Sequence, residues 1–366
     1  MPPIERRYRI LGRTVSLSCD RAGLLRLCDR NFGFFRQAAG PPPRGTGGGL
    51  RIEARLRASP PRLGISSPAA GGAALRRAVV LPSIDPGFVF NLVQREIFRA
   101  LPGFAFLHAA VAVKDGGALV VAGPSGAGKT TLLLALIKAG FAVYSDEYGP
   151  VNLKTGRVHA FPRELAVRTK RGGPAVRKTR ASAAAVVPAK SPAVPIRQMV
   201  FLETVPAAGG PSGYNVLIKT EATDLLLKDL GSAGCRVTRI EGTVYDSVTL
   251  PPAGDCARVI RALNARREAV LNIHERSGRR GAFAASPDIR EIPASEAAGC
   301  FLAGLIDSSN PWTIEKPGAA FFRVCGLLKD AVCLSVRSGT PGGTAKALAA
   351  IWKTGGRKKR KGRMIR

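Results

Sequence analysis

Gly123-Pro124-Ser125-Gly126-Ala127-Gly128-Lys129-Thr130 fits the pattern G-x-x-x-x-G-K-[ST], and Thr131 follows it directly. Each position has a chemical use. Gly123, Gly126 and Gly128 let the main chain approach phosphate oxygens and take dihedrals closed to other residues. The loop N–H groups and the N-terminus of a following helix then face a multiply charged anion. Lys129 adds a positive point charge at the β- and γ-phosphates, and Thr130 offers a hydroxyl to Mg2+. ATP with Mg2+ is the expected ligand pair, bound by Gly123 through Thr131.

This pattern means little outside a strand–loop–helix context. The flanks supply one. Ala118–Ala122 is an apolar run long enough for a buried strand, Leu132–Lys138 is rich in helix formers, and Gly140 is a natural stop. Phe141–Tyr144 then reads as a second strand. A right-handed crossover would lay it parallel to the first in one sheet. Asp146 and Glu147 would stand at its C-terminal end, where open α/β sheets bind their ligands. Of such a carboxylate pair, one member could hold Mg2+ and the other could take a proton from an attacking hydroxyl.

With those residues in view, Phe106-Leu-His108-Ala-Ala, a strand, GPSGAGKTTL and then GFAVYSDE resembles the catalytic core of HPr kinase/phosphorylase and its relatives. The likeness runs from about Leu107 to Arg168 and includes TGRVHAFPREL after the acids. The resemblance implies a mixed-sheet α/β core related to phosphoenolpyruvate carboxykinase. It implies a kinase that moves the γ-phosphoryl of ATP to a Ser hydroxyl of a protein or peptide. It places Asp146 as the base, with Lys129 and His108 also in the chemistry, and Thr130, Asp146 and Glu147 around Mg2+. The family usually carries Asp where this chain has Glu147, and the downstream segment that serves phosphorolysis is not found. The resemblance therefore implies a kinase and leaves its acceptor open. A small-molecule kinase and a non-catalytic, ATP-binding regulatory protein are the alternatives. A transporter-type ATPase is not expected, because no L-S-G-G-Q segment is present.

The elements that must position these residues occupy a chain of 366 residues, long enough for one large domain or two smaller ones. Residues 1–95 are expected to form a smaller α/β unit, 96–354 the nucleotide-binding domain, and 355–366 a disordered basic tail. Within the first unit, Ala22–Phe35 shows helical spacing and Leu50–Leu56 alternates like a strand. His108 is expected just before a strand at Ala109–Val113. Asn152–Val158 reads as a hairpin turning at Thr155-Gly156. Arg163 could reach an anionic substrate, with a place on a solvated face as the expected reading. Lys170–Arg197, rich in basic residues, Ala, Pro and Gly, reads as a mobile loop. Gln198–Glu203 reads as a strand ending in a candidate metal contact, Glu203. Helices are expected at Thr220–Leu230, Asp255–Arg267, Ala294–Leu305 and Gly343–Trp352.

Composition adds a bias towards anionic partners. Lys and Arg number 56 against 25 Asp and Glu, a formal net charge of +31. Such a field draws in nucleotides, acidic proteins, nucleic acid or anionic surfaces. The tail GGRKKRKGRMIR is the segment expected to make weak contact with nucleic acid or an acidic surface. The seven cysteines are scattered and none forms C-x-x-C, so reduced core thiols in a cytoplasmic protein are expected. No apolar run approaches the roughly 18 residues of a membrane span. The family resemblance also implies assembly of like copies.

Overall fold

A computed structural model describes residues 3–38, 49–68, 74–81, 84–124, 126–163, 166–169, 177–180, 191–203, 214–231, 235–239, 245–250, 262–263, 265–266, 269–275, 286–306, 317–337 and 339–361. They fall into two compact units. One comprises Met1–Gly123, Gly128–Glu203 and Ala284–Arg366, the other Pro124–Ala127 and Thr204–Phe283.

The first unit begins with strands β1 (Ile4–Ile10) and β2 (Arg13–Cys19), joined by Leu11-Gly12. Both turn residues have positive φ, the geometry of a tight hairpin that follows the natural strand twist. Helix α1 (Ala22–Phe32) buries Leu24, Leu25, Cys28 and Phe32 along one face. Strands β3 (Leu50–Arg55), β4 (Arg62–Pro68) and β5 (Ala74–Val80) complete a five-stranded sheet in the order β1-β2-β3-β4-β5. Helix α2 (Pro86–Arg99) starts with Pro86 in its first turn, and the Asp85 carboxylate accepts from the Phe88 N–H at 2.8 Å.

The segment that carries the glycine-rich loop follows. It contains β6 (Phe104–Lys114), β7 (Gly117–Ala122), α3 (Lys129–Lys138), β8 (Ala142–Ser145), β9 (Tyr148–Asn152) and β10 (Arg157–Val158). A short hairpin, β11 (Ala166–Thr169) with β12 (Arg177–Arg180), precedes β13 (Val194–Glu203). The second unit holds β14 (Tyr214–Lys219), α4 (Thr220–Leu230), β15 (Arg236–Arg239), β16 (Tyr245–Leu250) and β17 (Val270–Glu275). Its four strands run in the order β15-β16-β14-β17, and Leu226 of α4 packs with Val216, Ile218, Val248 and Leu250. The chain then returns to the first unit as β18 (Asp288–Glu291), α5 (Ala294–Ala303), α6 (Pro317–Leu328), β19 (Val332–Arg337) and α7 (Pro341–Lys361).

The central sheet is mixed. Its order is β10-β9-β6-β7-β13-β19-β18, with β8 also on β6. β7, β13 and β19 run parallel, whereas β6 is antiparallel to β7, β8 and β9. β10 pairs with both β9 and the start of β13, so five strands close on themselves. The interior strands read as unbroken apolar runs because both faces are covered: all six residues of β7 are buried. β8 does run in the same direction as β7, as expected, but with β6 between them.

Several expectations are corrected. The N-terminal segment does not stand apart: Phe32 and Phe35 share one buried cluster with Phe104, Phe106, Tyr148 and Phe161. Phe161, fully buried, lies 4.8 Å from the ring of Phe35 and 5.6 Å from that of Tyr148. Phe161→Ala is therefore expected to cost about 3–5 kcal/mol in urea unfolding, as a large buried ring lost from a shared core. α7 runs on to Lys361, into the segment expected to be disordered. Lys and Arg are good helix formers and extend the preceding turns. Of the basic loop, β12 and the start of β13 are strand, and residues 170–176 and 181–190 lie outside the described residues. Arg197 sits over the Trp352 ring at 4.4 Å. Cys19, Cys28 and Cys333 are buried as expected, but Cys300 is exposed on α5. Most of the helix expected at 255–267 lies outside the described residues.

Candidate functional site

β7 ends at Ala122, and α3 begins at Lys129 with Gly128 as its N-terminal boundary residue. The turn between them needs glycine: φ is +85° at Gly126 and +98° at Gly128, a region that L side chains rarely enter. A Cβ on Gly128 would meet nothing within 4 Å, so the constraint there is dihedral and not steric crowding. Gly128→Ala is expected to lose about 1–3 kcal/mol of stability from strain alone, read by thermal unfolding, and Gly128→Asn less. Ala127 N–H donates to the Pro124 carbonyl at 3.1 Å, tightening the turn, and the Leu132 N–H reaches back to the Gly128 carbonyl at 2.9 Å. The opening turn of any α-helix carries N–H groups with no acceptor inside the helix, aligned with its positive end. Thr130 is half-buried there and Thr131 exposed; Ser125 lies outside the described residues.

Lys129 is buried at 7 % exposure. Its ammonium donates to the Gly123 carbonyl at 2.6 Å, folding the side chain back towards the end of β7. Burial lowers its pKa to about 8, and the negative charge of Glu147 opposes that shift. Glu147 is thus close enough for its charge to act on the loop lysine.

The acid pair is held by a break in a strand. β8 and β9 run in the same direction along the same edge of β6, pairing with Val111–Val113 and with Phe104–His108. They form one line of strand beside β6, interrupted at Asp146 and Glu147. The Ser145 hydroxyl causes the jog: it accepts from the N–H of Glu147 at 3.3 Å and of Tyr148 at 3.0 Å. The Ala109 N–H meets the Glu147 carbonyl at 3.2 Å and re-anchors the chain. In an unbroken strand, consecutive side chains point to opposite faces. Here both carboxylates reach the same partner, Arg163.

Arg163 is expected on a solvated face from the sequence, but its side chain is only 13 % exposed. Its Nε lies 3.5 Å from Asp146 Oδ1, and its Nη1 donates to Glu147 Oε2. The guanidinium also sits 5.4 Å from the Tyr148 ring centre. Burial works against its charge, but Glu147, Asp146 and Tyr148 together outweigh burial and raise its pKa. The local signal for this role is position alone: Arg163 follows the buried Phe161 by two residues, so its segment is pinned to the core.

His108 lies within β6, not ahead of a strand, because the pairing with β9 extends the strand back to Phe104. It stands opposite Tyr148, on the face of β6 that also carries Phe104 and Phe106 by alternation. Its backbone N–H donates to the Gly304 carbonyl at 2.9 Å. The strand pairing brings it one residue from the acid pair. Glu203 joins a different group: at the end of β13 it accepts from the Ser335 hydroxyl and lies 3.7 Å from Arg337.

Among the described residues, no group of three or more His, Cys, Asp or Glu could hold a metal ion, and no helix is long and apolar enough to cross a membrane. No family model and no curated protein matches the chain. Among solved structures it is similar to the Hpr(Ser) kinase/phosphatase from Coxiella burnetii, at 15% identity, covering 45% of this chain and 99% of that chain, with a TM-score of 0.21.

Proposed function

We propose that the chain is an ATP-dependent kinase that transfers the γ-phosphoryl group to a hydroxyl, with Ser of a protein or peptide as the acceptor. The observation that carries this reading is the gathering of Asp146 and Glu147 at one strand break, with Glu147 in electrostatic reach of Lys129 at the start of α3. Lys129 and the N–H groups of Gly123–Thr131 bind the triphosphate. The Lys129 ammonium exchanges the Gly123 carbonyl for phosphate oxygens. Asp146, 7 % exposed, takes the proton of the acceptor hydroxyl as that oxygen attacks the γ-phosphorus and the bond to the β–γ bridging oxygen breaks. His108 contacts the phosphate or the acids from the neighbouring strand position.

Thr130, Asp146 and Glu147 are hard oxygen donors, the set that suits Mg2+, which keeps several waters and borrows oxygens from its nucleotide. Bound there, the ion would neutralise charge on the β- and γ-phosphates. The remaining contributions are positional: the closed set of strands holds the base, and α3 holds the donor. The test is transfer of radiolabelled γ-phosphate to a panel of Ser-containing peptides, run beside a panel of small alcohols. Label on peptide Ser supports the reading; label only on small alcohols moves the acceptor class; ATP binding without transfer to either panel contradicts the kinase.

A further inference from the structure

Asp146 and Glu147 are adjacent carboxylates, and their side chains are 6% and 39% exposed. Two like charges this near to one another repel, and a counter-ion relieves the repulsion before nucleotide binds. Arg163 does so. Its Nη1 donates to Glu147 while its Nε stands 3.5 Å from Asp146 Oδ1 as an ion pair, so one planar guanidinium serves both acids from different nitrogens, as a single ammonium cannot. The charge of Glu147 also acts on Lys129. Among the described residues, Asp146 and Glu147 are thus balanced by Arg163 and Lys129, which weakens the field that would draw in a free dication before nucleotide binds.

We propose that Arg163 is a positioning residue that makes metal entry conditional on nucleotide. It is the resting counter-ion of Asp146 and Glu147, and it competes with free divalent cation for Glu147. When a triphosphate engages Lys129 and the start of α3, its negative charge upsets the balance, and the cation arrives with the nucleotide. The proposal rests on the reading that the acid pair is the metal site. Its test omits ATP, so the two can fail separately.

The experiment is titration of the full-length protein with Mn2+ alone, followed by the resonance signal of the free ion. Wild type is expected to bind weakly. Arg163→Gln is expected to bind Mn2+ about tenfold more tightly, the factor that 1.4 kcal/mol of lost competition represents. Addition of Glu147→Gln to that variant should abolish the gain. A merely structural arginine would give the opposite, since its loss would loosen the acids and weaken the metal. Should Arg163→Gln fail to fold, Arg163→Lys keeps the charge but serves one acid at a time, and an increase of about threefold is expected. Mn2+ affinity unchanged or lower in the folded variant, or a gain that survives Glu147→Gln, overturns the proposal. Separately, absence of Mg-ATP binding by wild type would remove the kinase reading without touching the Mn2+ result.

Discussion

Asp146→Asn is expected to cut the rate of phosphoryl transfer by about 10²–10⁴-fold, the range supplied by a positioned general base. The substitution keeps the shape of the side chain and removes its ability to take a proton. Mg-ATP binding should persist with a smaller loss, because Glu147, Thr130, the loop and Lys129 still hold metal and phosphates, so the loss falls mainly on kcat. A modest fall in stability is also expected, since Arg163 loses one anionic partner in a largely buried site. Initial rates at saturating Mg-ATP, with binding measured in parallel, separate these effects. An Asn variant that transfers phosphate at the wild-type rate would take the base role away from Asp146.

Lys129→Met should lose both rate and nucleotide affinity. Removal of one preorganised donor from a transferring phosphoryl group costs about 10²–10³-fold in rate. Here the loss should appear in nucleotide affinity as well, because Lys129 serves ground-state phosphates. The apo protein should not suffer. Lys129 is buried with a pKa lowered to about 8, first by burial and against the pull of Glu147. Between about pH 8 and the ordinary lysine value of 10.5, the unfolded chain binds the proton that the folded chain has lost. Stability contributed by this residue therefore rises with pH through that window, and below it the buried charge is a cost. Lys129→Met should remove that rise in urea midpoints measured from pH 7.5 to 10 and leave the neutral-pH midpoint equal or higher. In wild type near pH 8, triphosphate binding should draw a proton onto Lys129, visible as a buffer-dependent heat of binding.

These effects centre on residues whose legibility in the sequence differs for physical reasons. Gly126, Gly128 and Lys129 are readable because a turn at positive φ and a helix start are local events, encoded by adjacent residues. The Ser145 jog is not. Phe141–Tyr144 and Tyr148–Asn152 both look extended, and a hydroxyl turning the chain between them resembles any serine. Arg163 reads as solvated because its two partners lie 16 and 17 positions earlier in sequence, and only folding brings the charges together. The N-terminal segment looks separable because Pro- and Gly-rich stretches suggest linkers. The aromatic packing of Phe32, Phe35 and Phe161 is a long-range event that no such stretch reveals. The mixed strand order has the same cause: β13 reaches β7 and β19 across long sequence separations.

The central claim is that the loop at Gly123–Thr130 and the carboxylates at 146 and 147 serve one Mg-ATP. Calorimetry of wild type, Lys129→Met and Asp146→Asn with Mg2+ and a non-hydrolysable ATP analogue tests it most directly. The account predicts saturable 1:1 binding by wild type and Asp146→Asn, and none by Lys129→Met over the same concentration range. No saturable binding by wild type, or undiminished binding by Lys129→Met, would contradict it.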